Sequence, residues 1–379
     1  MNFDFTDDQQ SLRDAVRRWV DKDFPFTRRH ALAKAGGKTR PVLAELGALG
    51  LTALAVAPEH GGLGLGPVDA MVVQEELGRG LVNAPYAQAA LLAPALLSQA
   101  PATLQAAWLP KIADASALVV VAHQELPARY RLERVAMRAT RQGALWRVDG
   151  AKSVVVAGDE ADAWLLAART DGGAGAAGAA DIALFLVERH AEGVAVRGYP
   201  TQDGARAAEL VFTAAPAALV STEGLAALLQ ARDIGIGAAC AEGVGLMERL
   251  LDMTTDYLRT RRQFGASLAS FQALRHRVAD IKMQLELARS MSYLATLSLG
   301  QAPLVRRRAL SQAKVQLGQS MRFVGQQCIQ LHGGIGVTDD YAASHCFKRL
   351  TVLETSFGDT LHHLGEVGAL MQDSAGLAA

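Results

Sequence analysis

Residues 257–280 read YLRTRRQFGASLASFQALRHRVAD, and a helical periodicity begins inside this segment. Apolar side chains recur from there in alternating steps of three and four residues, at Phe271, Leu274, Val278, Ile281, Leu285 and Ala288. This spacing places them along one face of a helix, the seam expected of a helix in an antiparallel bundle. The helical period lasts almost to the end of the chain, so we predict a helical bundle over residues 223–379.

The preceding segment, residues 117–222, follows a different pattern. Short apolar runs alternate there with turn residues, as in Ala117–Val121, Ser153–Val156 and Ala183–Val187. Such runs are typical of strands, and we expect a small antiparallel β domain. Residues 171–180 are mostly glycine and alanine, which can neither pack nor cap much, and we predict a flexible hairpin tip.

The first 116 residues read as helices joined by short loops. Thr6 and Gln9 form a capping-box pattern at a helix start, and apolar residues then recur at helical spacing from Leu12 to Val20. The glycine-rich stretch Gly61–Gly66 breaks this pattern and is predicted to be a loop. The chain is thus predicted to be α+β, mainly α, with domains 1–116, 117–222 and 223–379.

Composition limits the classes of function. The 38 basic and 38 acidic residues cancel, so the clustered positive field that nucleic-acid binding requires is not expected. Cys240, Cys328 and Cys346 lie far apart and outside CxxC pairs, which argues against a disulfide framework or a thiolate metal site. No apolar run approaches the ~18 residues of a membrane span, and no leader pattern opens the chain. We expect a soluble, unprocessed, cytoplasmic protein without metal.

Two motifs resemble those of the acyl-CoA dehydrogenase family. The segment 257–280 is similar to the family's Y-x-x-x-R-x-Q-F-G and F-Q-x-x-x-H-x-x-A-D signature, and Gln330–Gly336 (QLHGGIG) to its Q-x-x-G-G-x-G turn. The likeness covers essentially the whole chain. It implies a helical N-terminal domain, a small β domain, a C-terminal four-helix bundle and an FAD cofactor. It further implies an acyl-CoA substrate and an electron-transfer flavoprotein as electron acceptor.

The resemblance implies an FAD site built from two groups of residues. FAD carries two phosphates, and the guanidinium of Arg261 supplies a permanent charge with matching geometry. Gly333 and Gly334 let backbone N–H groups approach a phosphate because no Cβ intervenes. The neutral residues that would add hydrogen bonds or a flat wall are Gln263, Gln330 and Phe264. In this family these groups reach the dinucleotide across a subunit interface, so a homodimer or a heteromer is expected.

The catalytic carboxylate is missing from both places where the family carries it. Removal of the α proton of a CoA thioester takes a carboxylate base. Extending the match from Gln330 places Phe357 at the usual position, and counting back from Tyr257 places Gly235 at the other. Three carboxylates could substitute, with the first two ranked level: Glu242, Glu354 and Asp359.

The strand that contacts the flavin in this family also differs in this sequence from the family pattern. Its pattern G-x-K-x-W-I-T corresponds to Gly150–Val156, where Val154 and Val156 replace a stacking tryptophan and a hydrogen-bonding threonine. Longer strings, such as Arg197–Gly204 and Arg322–Gln327, are similar to those of small subunits that work with a larger one. A larger partner that supplies the base and the flavin ring site would explain all of these losses.

Three alternatives stay open at this point. The chain could be a self-sufficient homo-oligomeric dehydrogenase with a relocated base. It could be a flavin-dependent monooxygenase on the same scaffold, because oxygen activation needs no base for an α proton. It could also be a scaffold that binds no flavin.

Overall fold

The structure is a computed structural model and describes residues 4–143, 145–170 and 181–374. The hairpin tip predicted at 171–180 lies outside the described residues. Contacts divide the chain into two compact units. The first comprises Met1–Ala31, Pro67–Val82 and Ile236–Ala379, and the second Leu32–Gly66 and Asn83–Gly235. The three-part division of the sequence stays a prediction.

Helices dominate both ends of the chain. In chain order they are α1 (Asp7–Asp23), α2 (Phe26–Lys34), α3 (Arg40–Ala48), α4 (Pro67–Arg79), α5 (Ala93–Leu97), α6 (Ala102–Ala113), α7 (Gly224–Thr260), α8 (Gln272–Ser298), α9 (Pro303–His332), α10 (Ala342–Thr355) and α11 (Thr360–Ser374). The strands are β1 (Val119–Ala122), β2 (Arg138–Gln142), β3 (Leu145–Val156), β4 (Ala163–Thr170), β5 (Ile182–Glu188), β6 (Val194–Pro200), β7 (Arg206–Ser221), β8 (Arg262–Gln263) and β9 (Ala266–Ser267). The order of helices, sheet and helices confirms the predicted fold class.

The start of α1 confirms the predicted capping box. The backbone N–H of Gln9 donates to the Thr6 hydroxyl at 3.2 Å, and the backbone N–H of Thr6 donates to the Gln9 side chain at 3.1 Å. Behind this cap, the face that carries Val16, Trp19 and Val20 is buried. The local pattern of a few residues therefore sets both the start and the orientation of α1.

Strands β1 to β7 form one sheet whose pairings close on themselves. The ring runs β4–β5–β7–β3–β2 and back to β4, while β1 and β6 pair with β4 and β7. Most of these pairings are antiparallel, as predicted, but β4 runs parallel to both β1 and β2. The expectation of a wholly antiparallel domain is corrected here. An apolar strand pattern does not encode the direction of its neighbour, which depends on the connections.

The C-terminal helices share one apolar core. The predicted seam of α8 is fully buried at Ile281, Leu285 and Ala288 and half-buried nearer its start, at Phe271, Leu274 and Val278. Beside the long helices, the two short helices α10 and α11 pack on α9. Among the described residues, no helix combines the length and apolar character needed to cross a membrane. Most residues between Arg259 and Asp280 are exposed.

Candidate active site

The segment that joins α7 to α8 is a tight hairpin of β8 and β9. Its two turn residues, Phe264 and Gly265, both have positive φ angles, 53° and 77°. Such a pair is typical of a type I′ turn, a conformation that glycine adopts freely and phenylalanine rarely does. The Phe264 side chain is 92% exposed, and its ring contacts the Phe271 ring edge-to-face, at 6.2 Å between centroids. A strained and exposed aromatic residue of this kind indicates a contact outside the chain.

Arg261 stands at the base of this hairpin with its backbone fixed. Its N–H donates to the Tyr257 carbonyl at 2.8 Å, and its carbonyl accepts from the N–H of Leu268 at 2.9 Å. The residue is exposed, and no hydrogen bond within the described part of the chain uses its guanidinium. By contrast, Arg262 and Arg275 donate to carbonyls of the connection itself, those of Gly265 and Ala269. The backbone of Arg261 is thus fixed, and its guanidinium is available to an anion.

The glycine turn, Gly333–Val337, follows the end of α9. Gly333 adopts φ 63°, and a Cβ on Gly333 or Gly334 would meet no atom within 4 Å. A Cβ on Gly336 would instead lie 2.9 Å from the Cβ of His332. Packing therefore requires a glycine at 336 but leaves the space over Gly333 and Gly334 open to a ligand. The other predicted residues, Gln263 and Gln330, are exposed.

An aromatic contact brings the hairpin and the glycine turn together. The Tyr257 ring packs on the His332 imidazole, with 4.9 Å between centroids and 33° between planes. Tyr257 lies one helical turn before Arg261, and His332 directly precedes Gly333. The contact between Tyr257 and His332 therefore links, within the first unit, the two segments that carry the groups predicted to hold a diphosphate. His332 was missed in the sequence, where its position before a glycine pair was the available signal.

The two predicted substitute bases are engaged in internal contacts. Glu242, which is 8% exposed, accepts both N–H groups of the Arg349 fork, at 2.6 and 2.9 Å. Glu354, which is 7% exposed, accepts the backbone N–H and hydroxyl of Thr360, at 3.1 and 2.7 Å, and an N–H of Arg322 at 3.2 Å. The first carboxylate ties α7 to α10, and the second caps the start of α11.

The loop between α10 and α11 is held by hydrogen bonds from a buried lysine, Lys314. The Nζ of Lys314 donates to the carbonyls of Leu353, Glu354 and Gly358, at 3.0, 2.7 and 2.9 Å. Burial lowers the pKa of Lys314 to about 8. Asp359, the third candidate, accepts the backbone N–H of His362 at 2.8 Å. Each end of this loop is therefore fixed by hydrogen bonds, and Phe357 sits within it at φ 57°.

In the second unit, β3 carries a bulge at Val154, the position at which the family pattern has a tryptophan. Val154 has φ 52° between the register shifts at 152 and 155, and its side chain is 46% exposed. Positive φ is a genuine outlier for a β-branched residue. Its N–H donates to the Glu209 carboxylate at 3.2 Å, and the same oxygen accepts the Tyr199 hydroxyl at 2.8 Å. The backbone donor exposed by the bulge is thus already bound to an anion.

One group of residues has the composition of a metal site. His30, Asp339 and His345 bring potential ligand atoms within 4.8 Å of one another. However, an N–H of Arg29 contacts Nδ1 of His345, which therefore offers its lone pair. Nε2 then carries the proton and donates to the Asp339 carbonyl at 2.7 Å. A protonated ring nitrogen does not ligate a metal, so we interpret this group as a hydrogen-bond network.

Comparison with known proteins identifies the family. The family model described as "Acyl-CoA dehydrogenase, N-terminal domain" matches residues 6–116, and "Acyl-CoA dehydrogenase, C-terminal domain" matches residues 222–370. The chain belongs to the acyl-CoA dehydrogenase family. It is accordingly an oxidoreductase, and FAD is the cofactor of this family.

Individual relatives span nearly the whole of this acyl-CoA dehydrogenase. The mitochondrial short/branched chain specific acyl-CoA dehydrogenase of Bos taurus is 26% identical over 360 residues, which is 91% of this chain and 81% of the relative. A variant of the Tcur3481-Tcur3483 steroid ACAD has a TM-score of 0.87 and 27% identity, covering 97% of this chain and 99% of the other. The ChsE4-ChsE5 complex from Mycobacterium tuberculosis has a TM-score of 0.86 and 25% identity, covering 98% and 99%.

The two units of this acyl-CoA dehydrogenase fit FAD unequally. Arg261 and the glycine turn present an exposed guanidinium and open backbone, the donor types that phosphates require. At the flavin-contacting strand, the side chains of Val154 and Val156 are exposed and apolar, and Glu209 binds the backbone N–H of Val154. The described residues thus fit the dinucleotide end of FAD well and the flavin ring poorly.

Proposed function

We propose that this chain is the small subunit of a heteromeric acyl-CoA dehydrogenase, and that its hairpin and glycine turn complete the FAD site of a larger partner subunit. One observation carries the proposal. The phosphate-binding groups are exposed and unused within the described chain, whereas the carboxylates of Glu242, Glu354 and Asp359 serve helix contacts. A chain in this state can bind part of a cofactor, while these three carboxylates are already engaged within the chain.

The reaction class is the α,β-desaturation of a CoA thioester. Bound FAD supplies the hydride-accepting chemistry of that reaction. In this proposal Arg261 and the backbone of Gly333 and Gly334 neutralise the diphosphate, Gln263 and Gln330 add hydrogen bonds, and Phe264 packs against the dinucleotide. The larger subunit contributes the carboxylate and the ring site. An electron-transfer flavoprotein is the proposed electron acceptor.

The similar solved structures support a mixed assembly. Two of them are named for pairs of proteins, ChsE4-ChsE5 and Tcur3481-Tcur3483. Within the family, the strings Arg197–Gly204 (RGYPTQDG) and Arg322–Gln327 (RFVGQQ) favour the small subunit of pimeloyl-CoA dehydrogenase as the nearest type. The length of the acyl group is left open by this assignment.

The test is to isolate the tagged full chain in two forms, alone and with the larger subunit that accompanies it in its source organism. We expect the chain alone to be colourless and inactive toward a panel of acyl-CoAs, and the mixed assembly to contain FAD and to turn over. Robust acyl-CoA oxidation by the pure homo-oligomer would overturn the proposal in favour of a self-sufficient enzyme.

A further inference from the structure

His332 is a buried imidazole enclosed by groups from α7, α9 and the start of α10. It is 2% exposed, and its Nδ1 lies 2.8 Å from the carbonyl of Cys328. Its Nε2 lies 3.3 Å from the hydroxyl of Tyr341, and its ring packs on Tyr257 at 4.9 Å. Contacts on three sides fix the plane of this ring.

The neighbours of this ring are the two halves of the proposed diphosphate site. Arg261 directly follows α7, and its N–H donates to the carbonyl of Tyr257 in the last turn of that helix. On the other side, the glycine turn begins at the residue after His332 and folds back over it, because Gly336 approaches the His332 Cβ. A displacement of the His332 ring would therefore move the guanidinium and the glycine turn relative to one another.

The geometry points to His332 as a positioning residue for FAD. It holds the Arg261 end of α7 and the Gly333–Gly334 backbone in the one relative placement in which both reach the same diphosphate. Because the side chain is buried, it acts through Arg261 and the turn. This inference rests on the proposed function and adds a residue that the motif comparison did not assign.

A double-mutant cycle tests the inference on the assembled enzyme. We expect Arg261→Ala and His332→Ala each to weaken FAD binding tenfold or more, measured by fluorescence titration of the apo assembly. The double variant is expected to have the same FAD affinity as whichever single variant binds FAD less tightly, because removal of the guanidinium leaves His332 nothing to position. Losses that multiply to about a hundredfold would mean independent roles and would overturn the inference.

Matched variants separate positioning from folding. His332→Phe keeps a ring against Tyr257 and is expected to bind FAD within about threefold of wild type. His363→Phe changes an equally buried histidine that contacts Ser311 and the Phe357 carbonyl, away from the hairpin. It is expected to lower the melting temperature and leave the FAD dissociation constant unchanged. Equal losses of FAD affinity in His332→Ala and His363→Phe would contradict a positioning role.

A second variant covers the case in which His332→Ala does not assemble. Tyr257→Leu removes the stacking contact from the α7 side, and the same cycle with Arg261→Ala applies to it. The failures are distinguishable. If Arg261→Ala leaves FAD affinity unchanged, the proposed function is wrong. If Arg261→Ala weakens binding while His332→Ala and Tyr257→Leu do not, only the positioning inference is wrong.

Discussion

Arg349 on α10 holds both carboxylate oxygens of Glu242 on α7, at 2.6 and 2.9 Å, in a bidentate ion pair. Both side chains are largely removed from water, with 10% of Glu242 and 20% of Arg349 exposed. A carboxylate in such a bidentate pair is directed toward its partner. The pair therefore gives Glu242 a structural role, in which it links α7 to α10.

Glu242→Gln is expected to destabilise the chain and to spare the chemistry. Loss of one partner leaves Arg349 inadequately paired, at a cost of about 2 kcal/mol, which is less than for a fully buried pair because Arg349 keeps some contact with water. Urea unfolding measures the stability, and turnover per folded assembly measures the activity. Abolished turnover at unchanged stability would show that Glu242 is the relocated base.

Phe357→Glu is expected to leave the isolated chain inactive. The change puts a carboxylate at the usual base position, but β3 still presents valines and a carboxylate-bound N–H in place of the flavin contacts. Acyl-CoA oxidation with an artificial electron acceptor is the measurement, and Phe357→Gln is the size-matched control. Turnover in Phe357→Glu but not in Phe357→Gln would show that this chain holds its own flavin.

Lys314 is expected to make the free energy of unfolding depend on pH in the alkaline range. Its folded pKa of about 8 lies below the ordinary value of 10.5, so between these values the unfolded chain binds the proton more tightly. The contribution of this group to the free energy of unfolding therefore rises by up to about 3 kcal/mol between pH 8 and 10.5 and is constant below that window. Lys314→Met should lack this rise in urea unfolding. Parallel pH profiles for wild type and variant would contradict the assignment.

Val154→Gly is expected to stabilise the second unit by about 1 kcal/mol. Glycine relieves the positive φ of a β-branched residue, and this gain exceeds the entropy that glycine adds to the unfolded chain. The neighbouring change Val156→Gly is the control, since Val156 has no positive φ to relieve. This variant should be less stable than wild type. Thermal unfolding of the two variants compares them. A lower melting temperature for Val154→Gly than for wild type would show that the bulge is not strained.

Local signals predicted much of this fold. The capping box of Thr6 and Gln9 spans four residues, and the α8 seam repeats over a single helix, so neighbouring residues contain all the information needed. The parallel pairing of β4 could not be predicted, because an apolar strand looks the same beside either kind of neighbour. The partner of Glu242 lies 107 residues away, and a periodicity does not reveal such a pair.

The candidate site likewise contains residues that the sequence indicates and contacts that it does not. Motif spacing alone selects Arg261 and the glycines, whose role stays a prediction, and the contact between Tyr257 and His332 links the two segments that carry them. The engagement of Glu354 with Thr360 was not predictable, because it depends on how α10 meets α11. Motifs thus indicate which residues a ligand requires, whereas only tertiary contacts indicate which carboxylates are already in use.

The decisive measurement is the FAD dissociation constant of the assembled heteromer with Arg261→Ala, compared with Arg262→Ala. The guanidinium of Arg262 donates to the Gly265 carbonyl within the hairpin, so its loss should change FAD affinity little. Arg261→Ala should weaken binding tenfold or more, which corresponds to about 1.4 kcal/mol or more of lost phosphate contact. Equal FAD affinity in wild type and Arg261→Ala would contradict a small subunit that completes its partner's cofactor site.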